Sequence, residues 1–314
     1  MRLHENAEDF ADLIAITAEW IGIPAAAVKR DYFIVMILQK LEKSDFADQC
    51  VFKGGTSLSK CYPGSISRFS EDIDLTFIPQ EELGAKQYDK QLKKVESLMS
   101  AGFRLEKIPM ERNDRNKSAN VWFDDSDSEN GKVKLEIGSS IRPDPYEPKA
   151  LRTYIQEYLT EHGMQDIIDE YELYDVTVNT LDITRTFLDK VMSVKRHAIC
   201  GDLARKVRHI YDVTTLFDRD DIQAFLNDSD VLKDLLIKTK QTDSFYLEKR
   251  RSPEEYNPFA AYDFPSWKQY FDSDVRKQYE RLHVDLLYTD EKQDFDKAIA
   301  AFEKINEIFT AIGE

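Results

Sequence analysis

The chain has 314 residues, 42% of them hydrophobic and 11% aromatic, enough for one large or two ordinary soluble domains with packed cores. Its formal net charge of -16 counts against a broad phosphate-contacting surface, though not against a local basic groove or an acidic site that recruits a divalent cation. No apolar run approaches the length of a membrane span, the first residues lack a signal-peptide pattern, and three scattered cysteines (Cys50, Cys61, Cys200) read as reduced thiols, so a cytoplasmic protein without membrane contact is expected.

In chain order, residues 6–20 place Phe10, Leu13, Ile14 and Ala18 at helical spacing. Pro24 suits the first turn of a second helix running through Phe33, Met36, Ile37 and Leu41. The short apolar run Cys50-Val51-Phe52 then meets Lys53-Gly54-Gly55-Thr56-Ser57, a strand ending in a glycine turn with a short helix after it. Residues 73–78 are β-branched and aromatic and stop at Pro79, which predicts a strand. Residues 81–100 are charged and periodic and close on Ala101-Gly102, the mark of a helix with a glycine stop.

Three strands are expected at 103–108, 120–123 and 132–137, the last two joined by a polar hairpin loop. That loop holds Asp124, Asp125, Asp127 and Glu129, but their spacing is wrong for an EF-hand, so it reads as a solvated turn. Pro143, Pro145 and Pro148 mark a linker or an extended crossing segment, and 176–181 is a last strand candidate. Helical patterns follow at 184–199, 203–216, 220–226, 230–239 and 292–312, with a short basic run, Lys249-Arg250-Arg251, read as a loop. The fold class is therefore α+β, a mixed sheet with flanking helices over residues 1–183 and a helical C-terminal domain over 184–314.

The chemistry concentrates in Gly54-Gly55-Thr56-Ser57 and Asp72-Ile73-Asp74. Residues two apart on a strand share a face, so Asp72 and Asp74 bring two negative charges together. Such a pair calls for a bound cation or raised pKa values, and hard carboxylate oxygens suit Mg²⁺ or Mn²⁺ bridging to substrate phosphates. The glycine turn lets backbone amides approach a phosphate, with the Thr56 and Ser57 hydroxyls as further donors. Two-metal phosphoryl transfer requires a third carboxylate, for which Glu136 is the candidate. Each part taken alone is more often structural; their combination carries the reading. Asp72 to Thr76 also fits the Asp-x-Asp-x-Thr of haloacid-dehalogenase-type phosphatases, but those place the nucleophile after an apolar strand, whereas Arg68-Phe69-Ser70-Glu71 precedes it here. Glycosyltransferases share the Asp-x-Asp, yet nothing upstream resembles their nucleotide-binding half.

The stretches from Phe52 to Leu58 and from Arg68 to Leu75, with Thr186-Phe187-Leu188-Asp189-Lys190 and Arg208-His209-Ile210-Tyr211-Asp212, resemble the AbiEii/AbiGii toxin family of polymerase-beta-like nucleotidyltransferases. Lys190 and Asp212 match the family pattern, while Asp189 stands where a Glu is usual and His209 where an Asp is usual. The resemblance implies a nucleotidyltransferase-type sheet, a helical C-terminal half, and transfer of a nucleotide from a nucleoside triphosphate. For some members the acceptor is the 3′ end of tRNA, and a cognate antitoxin is the genetic partner. On this reading Asp72, Asp74, Lys190 and Asp212 are catalytic. Gly54, Gly55, Thr56, Ser57 and Lys190 hold the triphosphate, and Asp72, Asp74 and Glu136 bind metal.

Arg185, Lys195, Arg196, Arg205, Lys206 and Arg208 form the one basic cluster able to face RNA, or else an ordinary solvated helix surface. His197 and His209 read as structural or surface histidines. Two alternatives stay open: a nucleotide-binding or partner-binding module without turnover, and nucleotidylation of a protein or small-molecule acceptor.

Overall fold

The structure, a computed structural model, describes residues 1–81, 83–139, 142–247, 256–288 and 292–314. The basic run Lys249-Arg250-Arg251 lies outside them. The chain divides into two compact units: Met1–Cys61 with Phe69–Leu181, and Tyr62–Arg68 with Asp182–Glu314. Among the described residues no single helix is long and apolar enough to cross a membrane.

The first unit is built on a seven-stranded mixed sheet in the order β3-β4-β5-β2-β1-β7-β6. Its strands are β1 (Cys50–Lys53), β2 (Asp72–Phe77), β3 (Arg104–Lys107), β4 (Asn116–Trp122), β5 (Lys132–Gly138), β6 (Tyr146–Leu151) and β7 (Val176–Leu181). The β2/β5 and β1/β7 pairs are parallel and the other four antiparallel. Along β5 the apolar Val133, Leu135 and Ile137 are buried and alternate with half-exposed Lys132, Lys134 and Glu136. One face of the sheet is thus core and the other carries charge.

Helices α1 (Ala7–Ile21), α2 (Ala25–Glu42), α3 (Gly54–Cys61), α4 (Ala85–Met99), α5 (Tyr154–Glu161) and α6 (Gln165–Tyr171) complete the unit. Asn6 caps α1 by accepting from the Asp9 amide, and Gly22 ends it in the left-handed region, where a side chain is strained. Pro24 stands just before α2. Nearly every side chain of α2 from Arg30 to Leu38 is buried, as befits a helix with packing partners on all sides: α1, α4, α5 and the sheet.

Residues 146–151, expected as part of a linker or an extended crossing segment, are extended and paired. They form edge strand β6, paired among the described residues with β7 alone, and an edge tolerates the missing amide of Pro148. The capped helix α5, with Thr153 accepting from the Gln156 amide, was not anticipated.

The second unit is helical: α7 (Ile183–Ile199), α8 (Val207–Phe217), α9 (Asp220–Asn227), α10 (Ser229–Leu247), α11 (Phe264–Trp267), α12 (Ser273–Glu280), α13 (Leu282–Asp285) and α14 (Phe295–Ala311). Asp182 caps α7, which packs against α8, α9, α10 and α11 and is buried nearly all round. An aromatic cluster of Tyr262, Phe264, Trp267, Phe271, Phe302 and Phe309 fills the space beside α14. The Trp267 indole donates to the Tyr262 carbonyl at 2.9 Å, satisfying its one polar atom. The segment Tyr62–Arg68 is hydrogen-bonded here: the Tyr288 amide donates to the Ser67 carbonyl, and the Ser67 amide donates to the Tyr211 hydroxyl.

Candidate active site

Lys53 at the end of β1 lies opposite Asp74 on β2, so the chain turns at Gly54 directly beside that carboxylate. Gly54 has φ +88°, and a Cβ built there would lie 2.3 Å from Asp74 Oδ2. Two independent constraints therefore demand glycine, one conformational and one steric. Gly55 follows in the first turn of α3, half-buried.

The hydroxyls of Thr56 and Ser57 serve this turn from inside. Thr56 donates to the Asp72 carbonyl and shares a 2.7 Å hydrogen bond with the Ser70 hydroxyl; Ser57 donates to the Gly54 carbonyl at 3.0 Å. Both residues are buried. These two side chains tie α3 to β2 and to the glycine turn, and the turn's outward groups are backbone.

Asp72 and Asp74 lie on the half-exposed face of β2, with Ile73 and Leu75 buried behind them. The parallel register sets Lys134 beside Asp72 and Glu136 beside Asp74, so Asp72, Asp74 and Glu136 share one face. The Lys134 ammonium contacts the Glu136 carboxylate and lies 2.8 Å from Glu111 Oε2. Burial disfavours its charge, but the hydrogen bonds it donates to these two carboxylates outweigh that and push its pKa up.

Among the described residues no three His, Cys, Asp or Glu side chains converge as a metal site. What the face offers is the Asp72/Asp74 pair, with Glu136 held by an ammonium. A pair fits Mg²⁺, which commonly takes one or two protein carboxylates and fills its shell with phosphate oxygens and water. Beside the pair, buried Arg30 on α2 donates to Glu71 and, at 3.0 Å, to Asn130 of the β4–β5 hairpin. It thereby fastens the residue before Asp72.

In the second unit Asp212 on α8 is fully buried and accepts from Arg68 Nε at 2.6 Å and Nη2 at 2.8 Å. Lys190 on α7 stands 2.6 Å from Oδ2, the oxygen that also accepts from Arg68 Nη2. Burial opposes ionising Asp212, but Arg68 and Lys190 overcome it and hold the carboxyl well below the usual range. Burial draws the Lys190 pKa down, partly offset by Asp212. His209 is pushed well below its ordinary value, chiefly by burial and then by Lys190, so it is neutral. One carboxylate against two cations leaves this cluster with a net positive charge.

Arg68 and Arg30 are the residues that sequence reasoning left without a role. The signal for Arg68 was its place four residues before Asp72; its partner, 144 positions away, was not visible. The basic cluster does not hold as one surface. Arg185 is buried against Asp189 and Thr242, Lys195 donates to the Ala261 carbonyl, and Arg196 pairs with Asp243. Arg205 is exposed, with Lys206 and Arg208 partly so.

The family model for the nucleotidyl transferase AbiEii toxin of type IV toxin–antitoxin systems matches residues 36–306. No curated protein matches the chain in sequence. Among solved structures it is similar to MenT4, a nucleotidyltransferase toxin from Mycobacterium tuberculosis H37Rv. That likeness has a TM-score of 0.50 and 18% identity over 95% of this chain and 98% of the other, and it speaks for the fold alone. By the family match across most of its length, the chain belongs to the AbiEii family of nucleotidyltransferase toxins.

Proposed function

We propose that the chain transfers a nucleoside monophosphate from a nucleoside triphosphate to an acceptor hydroxyl. The observation that carries this is the Asp72/Asp74 pair on one strand face, with Gly54 at positive φ directly against the Asp74 side chain. Asp72 and Asp74 would hold Mg²⁺ or Mn²⁺, with Glu136 as a third ligand. Bound there, the metal supplies charge neutralisation for the phosphates and a more acidic acceptor hydroxyl. The acceptor oxygen forms a bond to the α-phosphorus, the bond to the bridging oxygen breaks, and pyrophosphate leaves with that electron pair. The hydroxyl proton passes to a carboxylate and on to water.

Gly54 and Gly55 bring backbone close to the triphosphate, while Thr56 and Ser57 hold that turn in shape. Lys190 and Asp212, which match the family pattern, are further catalytic residues on this reading, Lys190 as a cation able to offset phosphate charge and Asp212 as the carboxylate that orients it. Most of the rate gain then comes from positioning and electrostatic stabilisation.

The family assignment favours a toxin that acts on tRNA in the cytoplasm, with a cognate antitoxin as genetic partner. The net charge of -16 and the burial of Arg185, Lys195 and Arg196 favour a second reading, a protein or small-molecule acceptor. The test is incubation with Mg²⁺, each α-labelled nucleoside triphosphate in turn, and total bacterial RNA or protein extract, beside an Asp72→Ala/Asp74→Ala control. Label entering a tRNA-sized band with wild type only supports the first reading. Label entering protein supports the second, and binding of triphosphate with no labelled product would point to a module without turnover.

A further inference from the structure

The charged face of the sheet carries a cation of its own. Lys134 stands on β5 beside Asp72 and one pleat repeat from Glu136, and its ammonium touches both Glu136 and Glu111. Glu111 enters from the turn between β3 and β4, so the two carboxylates that share this ammonium come from different elements. An ammonium has three donors, and losing one carboxylate leaves it paired to the other. Glu136 and Lys134 are each about one-third exposed and Glu111 rather more, so neither contact is locked into the core.

We infer that Lys134 is a positioning residue that holds Glu136 in the metal-free chain and passes to Glu111 when a divalent cation takes Glu136. The inference rests on the reading of Asp72, Asp74 and Glu136 as metal ligands. It adds that the third carboxylate is masked by a built-in competitor. A cation supported only weakly by Asp72 and Asp74 does not displace the ammonium; one that also holds substrate phosphates does. Glu136 is then recruited when metal arrives with nucleotide. The register supports this, because the same strand pair sets Lys134 level with Asp72 and Glu136 level with Asp74. The competing cation therefore sits within the carboxylate set.

The test is Mn²⁺ binding to the full chain, followed by electron paramagnetic resonance of the free ion, with a triphosphate whose α,β-bridge is methylene so that no turnover occurs. Lys134→Met should tighten Mn²⁺ roughly three- to tenfold, the size expected for removing one partly exposed ion pair. Lys134→Arg should restore wild-type-like binding. Glu111→Gln should weaken binding, because Lys134 then has no second carboxylate of this pair to pass to when a cation takes Glu136, and that weakening should vanish in the Lys134→Met background. In Glu136→Gln, Lys134→Met should change nothing further.

Unchanged or weaker Mn²⁺ binding in a natively folded Lys134→Met chain overturns the inference, as does a loss of triphosphate binding with metal affinity unaltered. Asp74→Asn separates the two levels. If it loses Mn²⁺ binding while Lys134→Met has no effect, only the role of Lys134 falls. If Asp74→Asn binds like wild type, the metal-site reading falls, and this inference with it.

Discussion

At Asp212 one buried carboxylate faces two cations, and its partners explain its low pKa. Removing its charge takes from Arg68 and Lys190, both buried, the carboxylate they share. Asp212→Asn should therefore destabilise the chain by about 3–5 kcal/mol in urea unfolding at neutral pH, the range for breaking a buried pair from one side. The sign with pH follows from the depressed folded value. The Asp212 contribution is complete above the unfolded carboxyl pKa, near 4, and declines as pH falls below it toward the folded value. The difference in stability between wild type and Asp212→Asn should accordingly shrink as pH drops from about 5 to about 3. A difference that grows over that interval would contradict the assignment.

Gly54 carries a constraint of another kind. Gly54→Ala adds positive-φ strain of about 1–3 kcal/mol and drives a methyl into Asp74 Oδ2. Transfer should fall by roughly two orders of magnitude or more, since small displacements of a reacting centre are that expensive. Thermal unfolding together with single-turnover rates checks both halves: a modest loss of stability with a large loss of rate.

Among the elements, β5 shows how pattern becomes function. Its alternation places Leu135 in the core, 1% exposed, and Glu136 on the opposite face beside Asp74. Leu135→Ala should cost about 2–5 kcal/mol by denaturant titration, as for a large-to-small change in a packed core. A loss below about 1 kcal/mol would mean that β5 is not the buried centre described. Strands of this sort were legible in the sequence because alternation and β-branched runs report burial on one face. So were α1 and α2, through apolar spacing and the placement of Pro24, and α7, through its helical pattern.

Strand β6 was not legible. Three prolines mask an edge strand that pairs with β7, and pairing between distant segments leaves no local trace. Helix α5 was missed because its cap, Thr153, sits directly behind that stretch. At the carboxylate face, the sharing of one side by Asp72 and Asp74 followed from their spacing. That Glu136 stands level with Asp74 required the parallel β2/β5 register, which spacing does not encode.

For the whole molecule, charge is the governing quantity. A chain of net charge -16 has little long-range attraction for RNA, and burial of Arg185, Lys195 and Arg196 within the helical unit narrows the basic surface further. Sequence alone counts charges without showing which are consumed by internal pairs such as Arg196 with Asp243. The division into units also departs from a single cut in the chain, since Tyr62–Arg68 runs with the helical unit while Phe69 onward belongs to the sheet. Arg68 and Asp72, four residues apart, thus belong to different units. An acceptor held mainly by RNA backbone contacts predicts transfer that declines steeply with salt, and a protein or small-molecule acceptor a shallow dependence.

The central claim is that Asp72 and Asp74 form the catalytic carboxylate pair of a nucleotidyltransferase. It is tested most directly by the rate of nucleoside monophosphate transfer in wild type and Asp74→Ala, with thermal unfolding of both chains measured alongside. The account predicts loss of transfer to the level of a no-enzyme control with an unfolding midpoint close to that of wild type. Wild-type-like turnover in folded Asp74→Ala would contradict it.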